Sequence, residues 1–482
     1  VSDAHLAPVR SRFGWERVGV LAVLVATAGF SASVALAVPM FGTADESAHF
    51  DYAYQVWRGM LPTFEGGLVI RPPFGSVPPV QWVSQHPPLF YLILAPVIGP
   101  LTDADHMLRA GFAARAVNIA ITVAFVAAVM WASRKLAPGR PRLALTTGIV
   151  AGSSAWVTGV GGAVYNDILA ALLCALLLGV TARSLRSEAL TWRDTALIAA
   201  LGSLGMLSRA SVAIVLALCL AALVVRSALG PAPGRVRRVG RGLLQATIAG
   251  CVVLASALWF YLHLLETTGT LTGGNIEWFR ARLGRVERPI PELVADPDAW
   301  WQLLRFFGHG RFGTFPVELM TTACLLLPVA VGLIFLRRLR TTMPADAVVG
   351  ALAAALVLAS LAQQFGYASG GGQLSPRYLL PVATVVFVLI AHGLTAVARA
   401  RWLPTAVWLV VVNVQYLDWL REYVTAVPQA RVAPILPGAA VAATALAIAA
   451  IVVAVIACDR LPAPRHRPAA ANHGDLTGRV DR

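Results

Sequence analysis

The chain has 482 residues, 57% of them hydrophobic and 13% charged, with a formal net charge of +15. A mean hydropathy of +0.70 excludes a string of soluble domains and describes an all-α polytopic membrane protein, because apolar runs of ~20 residues, each long enough to cross a bilayer as a helix, recur along nearly the whole sequence. The positive charge does not require nucleic acid: its clusters fall in short connections between apolar runs, where anchoring to anionic lipid accounts for them.

In chain order, a tail over 1–17 leads into spans expected at about 18–40, 113–133, 143–160, 167–183, 194–208, 210–227, 242–263, 317–336, 346–366, 376–398, 402–420 and 435–457. That makes about twelve crossings in one transmembrane domain over 18–457, followed by a basic tail, 458–482, expected to be disordered. Arginines alternate between the connections: Arg10, Arg12 and Arg17 precede the first span, Arg134, Arg140 and Arg142 separate the second from the third, and Arg235, Arg237 and Arg238 separate the sixth from the seventh. Lys and Arg are retained on the cytoplasmic side during insertion, so both termini are expected there, with the loops 41–112 and 264–316 facing outward. Residues 10–37 also have the layout of a signal peptide, but the apolar stretch is too long for one. The five cysteines form no metal or redox spacing.

The first loop carries the densest chemistry. Asp45 and Glu46 stand directly after the first span, and carboxylates at such a boundary are tolerated mostly where they face water, a partner charge or a substrate. On a helix starting near Asp45, His49 lies within reach of either acid. The string D-E-x-x-H lacks the first histidine and third ligand of a zinc protease. A plainer reading makes Asp45 an N-cap, and Asn166 and Asp167 admit the same reading at the start of the fourth span. A Pro- and Gly-rich stretch over 62–88 ends in Gln85-His86-Pro87-Pro88, which opens a short apolar helix, 89–101, expected to lie along the membrane surface. Arg377, followed by Tyr378, is a cation at the outer end of an apolar helix, against the positive-inside trend, and so points to a bound anion. In the second loop Trp278, Phe279, Trp300 and Trp301 alternate with Arg280, Arg282 and Arg305, a pattern that suits sugar stacking and equally an interfacial belt.

Taken together, Asp45-Glu46-Ser47-Ala48-His49-Phe50, His86-Pro87-Pro88-Leu89-Phe90-Tyr91, Asn166-Asp167, Phe307-Gly308 with Phe312-Gly313, and Arg377-Tyr378-Leu379-Leu380-Pro381 resemble, in order, the motifs of an uncharacterised bacterial branch of the GT-C superfamily of polytopic glycosyltransferases. The resemblance covers about residues 18–400. It implies a GT-C-like fold in a bacterial plasma membrane and transfer of a sugar, with inversion, from a polyprenyl-phosphate-linked donor to a glycan, lipid or protein acceptor of the cell envelope, on the outer face. It puts the acid–base role on Asp45, with Glu46 as the second catalytic carboxylate, and substrate contacts on His49, His86, Asn166, Asp167, Arg377 and Tyr378. Relatives carry Lys at the residue before Pro-Pro where this chain has His86, so a fixed charge there is replaced by a group that is mostly neutral at pH 7. No cofactor is required by this reading, which leaves open a divalent cation, magnesium or manganese, on Asp45, Glu46 and Asp167. The competing readings are a transporter or flippase of lipid-linked glycans and a catalytically silent assembly subunit. Nearly charge-free spans, with ionisable groups at their outer ends, favour interfacial chemistry over translocation.

Overall fold

The structure is a computed structural model describing residues 7–43, 45–72, 75, 77–187, 190–229, 234–305, 315–339, 344–396, 402–426 and 435–461. The motif residues Phe307-Gly308 and Phe312-Gly313, and the tail beyond 461, lie outside the described residues. The described chain is helical, without strands. α1 (Ala7–Ala37) packs along the last long helix, and α2 (Glu46–Trp57), α3 (Leu89–Asp103) and α4 (Met107–Leu136) follow it. The first two loop helices appear where the helical spacing over 46–59 and the Pro-Pro entry place them.

Eight helices among the described residues are long and apolar enough to cross a membrane, or nine with one bent pair. The expected count of twelve is not reached among the described helices, and the structure departs from it at three places. The third expected span is broken into α5 (Pro141–Gly152) and α6 (Ala155–Gly161), bent by 59°. Asn118 of α4, fully buried, donates to the Val160 and Ala163 carbonyls at 2.8 and 2.5 Å, so the carbonyls freed where the span ends are satisfied. After α7 (Asp167–Arg186) come α8 (Trp192–Met206) and α9 (Val212–Ala228), of only 15 and 17 residues. At ~1.5 Å per residue these are roughly 22 and 26 Å long, short of a ~30 Å hydrocarbon layer. α10 (Arg235–Thr268) runs further at both ends than expected, leaving α11 (Ile276–Leu283), α12 (Ile290–Ala295) and α13 (Pro297–Leu304) as short helices of the second loop. α14 (Phe315–Ile334) is a helix of 20 residues where a span was expected at 317–336.

The remaining helices are α15 (Pro344–Ser369), a 3-10 turn Pro376–Val382 leading into α16 (Ala383–Ala396), α17 (Leu403–Ala426) and α18 (Ile435–Arg460). Small residues let backbones meet where α14 crosses α16: a Cβ added at Gly393 would sit 1.8 Å from the Pro328 carbonyl oxygen.

The two ends of the bundle differ in chemistry. At one end, Arg134 pairs with Glu16, Arg183 with Asp194 and Arg186 with Asp346. The other end gathers α2, α3, the starts of α4 and α7, the turn between α8 and α9, the helices of the second loop and the 3-10 turn. One carboxylate organises the irregular part of the first loop there. Asp51, fully buried on α2, accepts from the Val69 and Ile70 amides at 2.8 and 2.9 Å and from Gln55 and Gln81 at 2.7 and 2.8 Å. Burial pushes its carboxyl above the ordinary value, with these four donors working the other way.

Candidate active site

The adjacent acids Asp45 and Glu46 point to different places. Glu46 is sealed from solvent. Its Oε1 accepts from Arg115 Nε at 2.7 Å and the Val164 amide at 3.2 Å, and its Oε2 from Arg115 Nη2 at 2.6 Å and the Phe41 amide at 3.0 Å. Four donors occupy the four lone-pair directions of the carboxylate. Arg115, also sealed, donates to the Ala35, Val38 and Pro39 carbonyls at 2.6, 2.9 and 2.9 Å, groups left without helical partners where α1 ends. This pair joins α1, α2, α4 and the segment before α7.

Asp45 instead faces Arg377, and their side chains remain 14% and 18% exposed. Asp45 occupies the N-cap position of α2 but makes no side-chain cap bond; its Oδ2 takes Arg377 Nη2. Arg377 is held by the 3-10 turn over two aromatic faces, 5.1 Å from the ring centres of Tyr165 and Tyr378, and Nη2 also reaches the Tyr378 hydroxyl at 3.2 Å. Burial disfavours the charged form of Asp45, but Arg377 and more distant cationic charge outweigh it and hold the carboxyl below its usual value.

Beside this pair stands a second that the sequence reading did not single out. Arg209, in the turn between α8 and α9, lies 2.8 Å from Asp167 Oδ1 and donates to Asn166 Oδ1 at 2.8 Å. Its guanidinium is 5.4 Å from the Tyr378 ring centre. Asn166 makes no side-chain cap bond at the start of α7, so its side chain serves the pair and not the helix. The available signal was a lone arginine at a connection expected to face outward, the same departure from the positive-inside trend that marked Arg377.

The two histidines close the site from the side of the first loop. His49 is buried, with Nδ1 2.8 Å from the Tyr91 hydroxyl, and its ring is stacked with His86 at 5.9 Å and 5°. Tyr91 stacks on Tyr52 at 3.6 Å, and the Tyr52 hydroxyl donates to the His86 carbonyl at 2.9 Å. Burial lowers the His49 imidazole to about 4, despite the nearby carboxylates, and holds His86 well below its ordinary value, reinforced by Arg209. Both rings are neutral at pH 7 and present hydrogen-bonding nitrogens, not fixed charge.

Asp45, His49, His86, Asn166, Asp167, Arg377 and Tyr378 are therefore brought together, while Glu46 turns away from them into the core. The divalent cation left open for Asp45, Glu46 and Asp167 loses Glu46 as a ligand. All lone-pair directions of Glu46 are filled, two guanidiniums already neutralise the other two acids, and no cluster of three His, Cys, Asp or Glu side chains suits a metal among the described residues. The aromatics of the second loop pack on protein: Trp278 and Phe279 stand edge-on to Phe64 at 5.5 and 6.2 Å, and Trp300 stands edge-on to Phe365 at 5.0 Å.

No protein-family model matches the chain, and no curated protein matches it. Among solved structures, it is similar to ArnT from Cupriavidus metallidurans bound to undecaprenyl phosphate, at 16% identity and a TM-score of 0.47 over 91% of this chain and 76% of that one. It is also similar to the Archaeoglobus fulgidus oligosaccharyltransferase in its apo form, at 15% identity and 0.47 over 91% and 56%. The same enzyme, AglB, in complex with an inhibitory peptide and a dolichol-phosphate, gives 14% and 0.46 over 91% and 55%. The chain spans little more than half the length of the oligosaccharyltransferase. At these similarities no residue role passes from either protein to this one.

Proposed function

We propose that this protein is a membrane glycosyltransferase that moves a sugar, with inversion, from a polyprenyl-phosphate-linked donor to a cell-envelope acceptor. The ordered motifs resembling the GT-C superfamily support the class. The observation that carries the chemistry is the partly open pair Asp45–Arg377, which sets a carboxylate and a guanidinium side by side among aromatic faces and neutral imidazoles.

In this reading the acceptor hydroxyl gives its proton to Asp45 as its oxygen bonds to the anomeric carbon from one face. The bond from that carbon to the phosphate oxygen breaks on the opposite face, and its electron pair leaves with the polyprenyl phosphate, stabilised by Arg377. A carboxylate held below its usual value is ionised at pH 7 and ready to accept a proton. His86 and Tyr378 supply hydrogen bonds to the sugar or phosphate. The end of the bundle carrying the site faces outward, in keeping with the arginine-rich connections at the other end.

Asp45→Asn tests the assignment. The variant should keep its thermal stability and its affinity for undecaprenyl phosphate, while transfer to acceptor in membranes falls ~100-fold or more, within the range for a lost acid–base group. Near-normal transfer by a well-folded variant would remove Asp45 from the mechanism.

A further inference from the structure

Arg209 is built into the site as firmly as Arg377. Its turn is closed by the Ser208 and Arg209 amides on the Gly205 carbonyl at 3.0 and 2.9 Å and by the Val212 amide on the Arg209 carbonyl at 3.2 Å. Two neighbours lock it from outside. The Leu89 amide donates to the Leu207 carbonyl at 3.0 Å, and the Tyr261 hydroxyl of α10 donates to the Met206 carbonyl at 2.8 Å. The first of these bonds ties the turn directly to the His86-Pro87-Pro88 entry of α3.

Both arginines use only part of their donor set. The polar contacts of Arg209 run through Nη1, to Asn166 and Asp167. Those of Arg377 run through Nη2, to Asp45 and Tyr378. Among the described residues the Nε and remaining Nη of each group have no hydrogen-bond partner, yet neither set belongs to the sealed atoms of the interior. The two guanidinium carbons lie 5.4 and 5.1 Å from one Tyr378 ring centre. A guanidinium fixed by a carboxylate on one side presents its other donors pre-oriented, and paired N–H groups match the oxygens of a phosphoryl group.

Resting on the proposed reading, we infer that Arg209 is a second phosphoryl-binding residue, and that one phosphate is gripped between Arg209 and Arg377 while Asp167 and Asn166 hold the Arg209 guanidinium in place. The shared chemistry is a phosphoryl oxyanion, presented by a lipid or free in solution.

The experiment uses the full chain in nanodiscs, with undecaprenyl phosphate as one probe and inorganic phosphate as the other. Arg209→Gln should weaken binding of the competent probe about tenfold or more, and Arg209→Lys, which keeps a partner for Asp167, should weaken it less. Loss for undecaprenyl phosphate alone identifies a lipid headgroup site; a matching loss for inorganic phosphate identifies the phosphoryl group itself, and either result supports the assignment. In the double variant with Arg377→Gln, the loss should depart from the product of the two single losses, because residues sharing one ligand group are coupled. A simple product overturns the shared grip. Wild-type affinity in folded Arg209→Lys and Arg209→Gln overturns the role of Arg209; if Arg377→Lys is weakened in the same assay, the phosphate role of Arg377 survives, and if it is not, that role falls too.

Discussion

Two neighbouring acids, Asp45 and Glu46, each meet an arginine brought from far along the chain, and the two pairs teach opposite lessons. Glu46–Arg115 is dry: both side chains are at most 1% exposed, and the carboxylate's oxygens are saturated. Nothing is left for a substrate to bind. Asp45–Arg377 is partly open and under-used: one carboxylate oxygen and one guanidinium nitrogen carry the bonds, and the remaining atoms have no hydrogen bond among the described residues. A filled pair holds structure, while a partly filled one retains capacity for chemistry.

The comparison breaks most visibly through stability. Glu46→Gln leaves a buried guanidinium without its counter-charge, and removing one partner of such a pair typically costs about 3–5 kcal/mol. Unfolding in detergent should show this loss, against little change in Asp45→Asn. Equal stability in the two variants would erase the distinction drawn between the pairs.

His49 sharpens it next, through pH. Its folded value of about 4 lies below the ordinary 6.5, so the unfolded chain binds the proton more readily. Stability is then full above the unfolded value and declines as pH falls from about 6.5 toward 4, by about 3 kcal/mol for a shift of this size. Asp45, whose value is depressed from 3.8, contributes a decline only below that window. Melting temperatures of wild type and His49→Gln, followed from pH 7 to 4.5, should diverge, the variant's being flatter. Parallel curves would mean that this imidazole is already charged or hydrated in the folded protein.

The smallest effect concerns Arg377. Arg377→Lys keeps the charge but loses the planar fork, so undecaprenyl phosphate affinity should fall several-fold, and Arg377→Ala should fall further. If both variants bind normally and differ only in melting temperature, Arg377 belongs with Arg115 as an anchor.

Much of this organisation is legible before folding. Hydrophobic periodicity located α2 and α3, and apolar length located the long membrane helices, because both signals are local and repeat within one element. Two expected spans form helices of only 15 and 17 residues, and a third, 143–160, is broken. Apolar composition alone does not say where Asn118 can take over the carbonyls of a helix that stops early. Asp51 also escaped notice, although it holds the loop from Gly67 to Gln81.

By itself, the sequence determined that this is a helical membrane protein, and it led to the expectation that Asp45, Glu46, His49, His86, Asn166, Asp167, Arg377 and Tyr378 share one polar end of it, because the cost of a charge beside hydrocarbon is written in position along the chain. It could not determine which arginine each acid would meet. The partners are separated by 69 residues for Arg115 and Glu46 and by 332 for Arg377 and Asp45. Such pairings arise only when helix packing brings distant segments within hydrogen-bond reach. Tertiary structure alone therefore divided the two acids into an anchor and a candidate base, and brought Arg209 to the same tyrosine ring as Arg377.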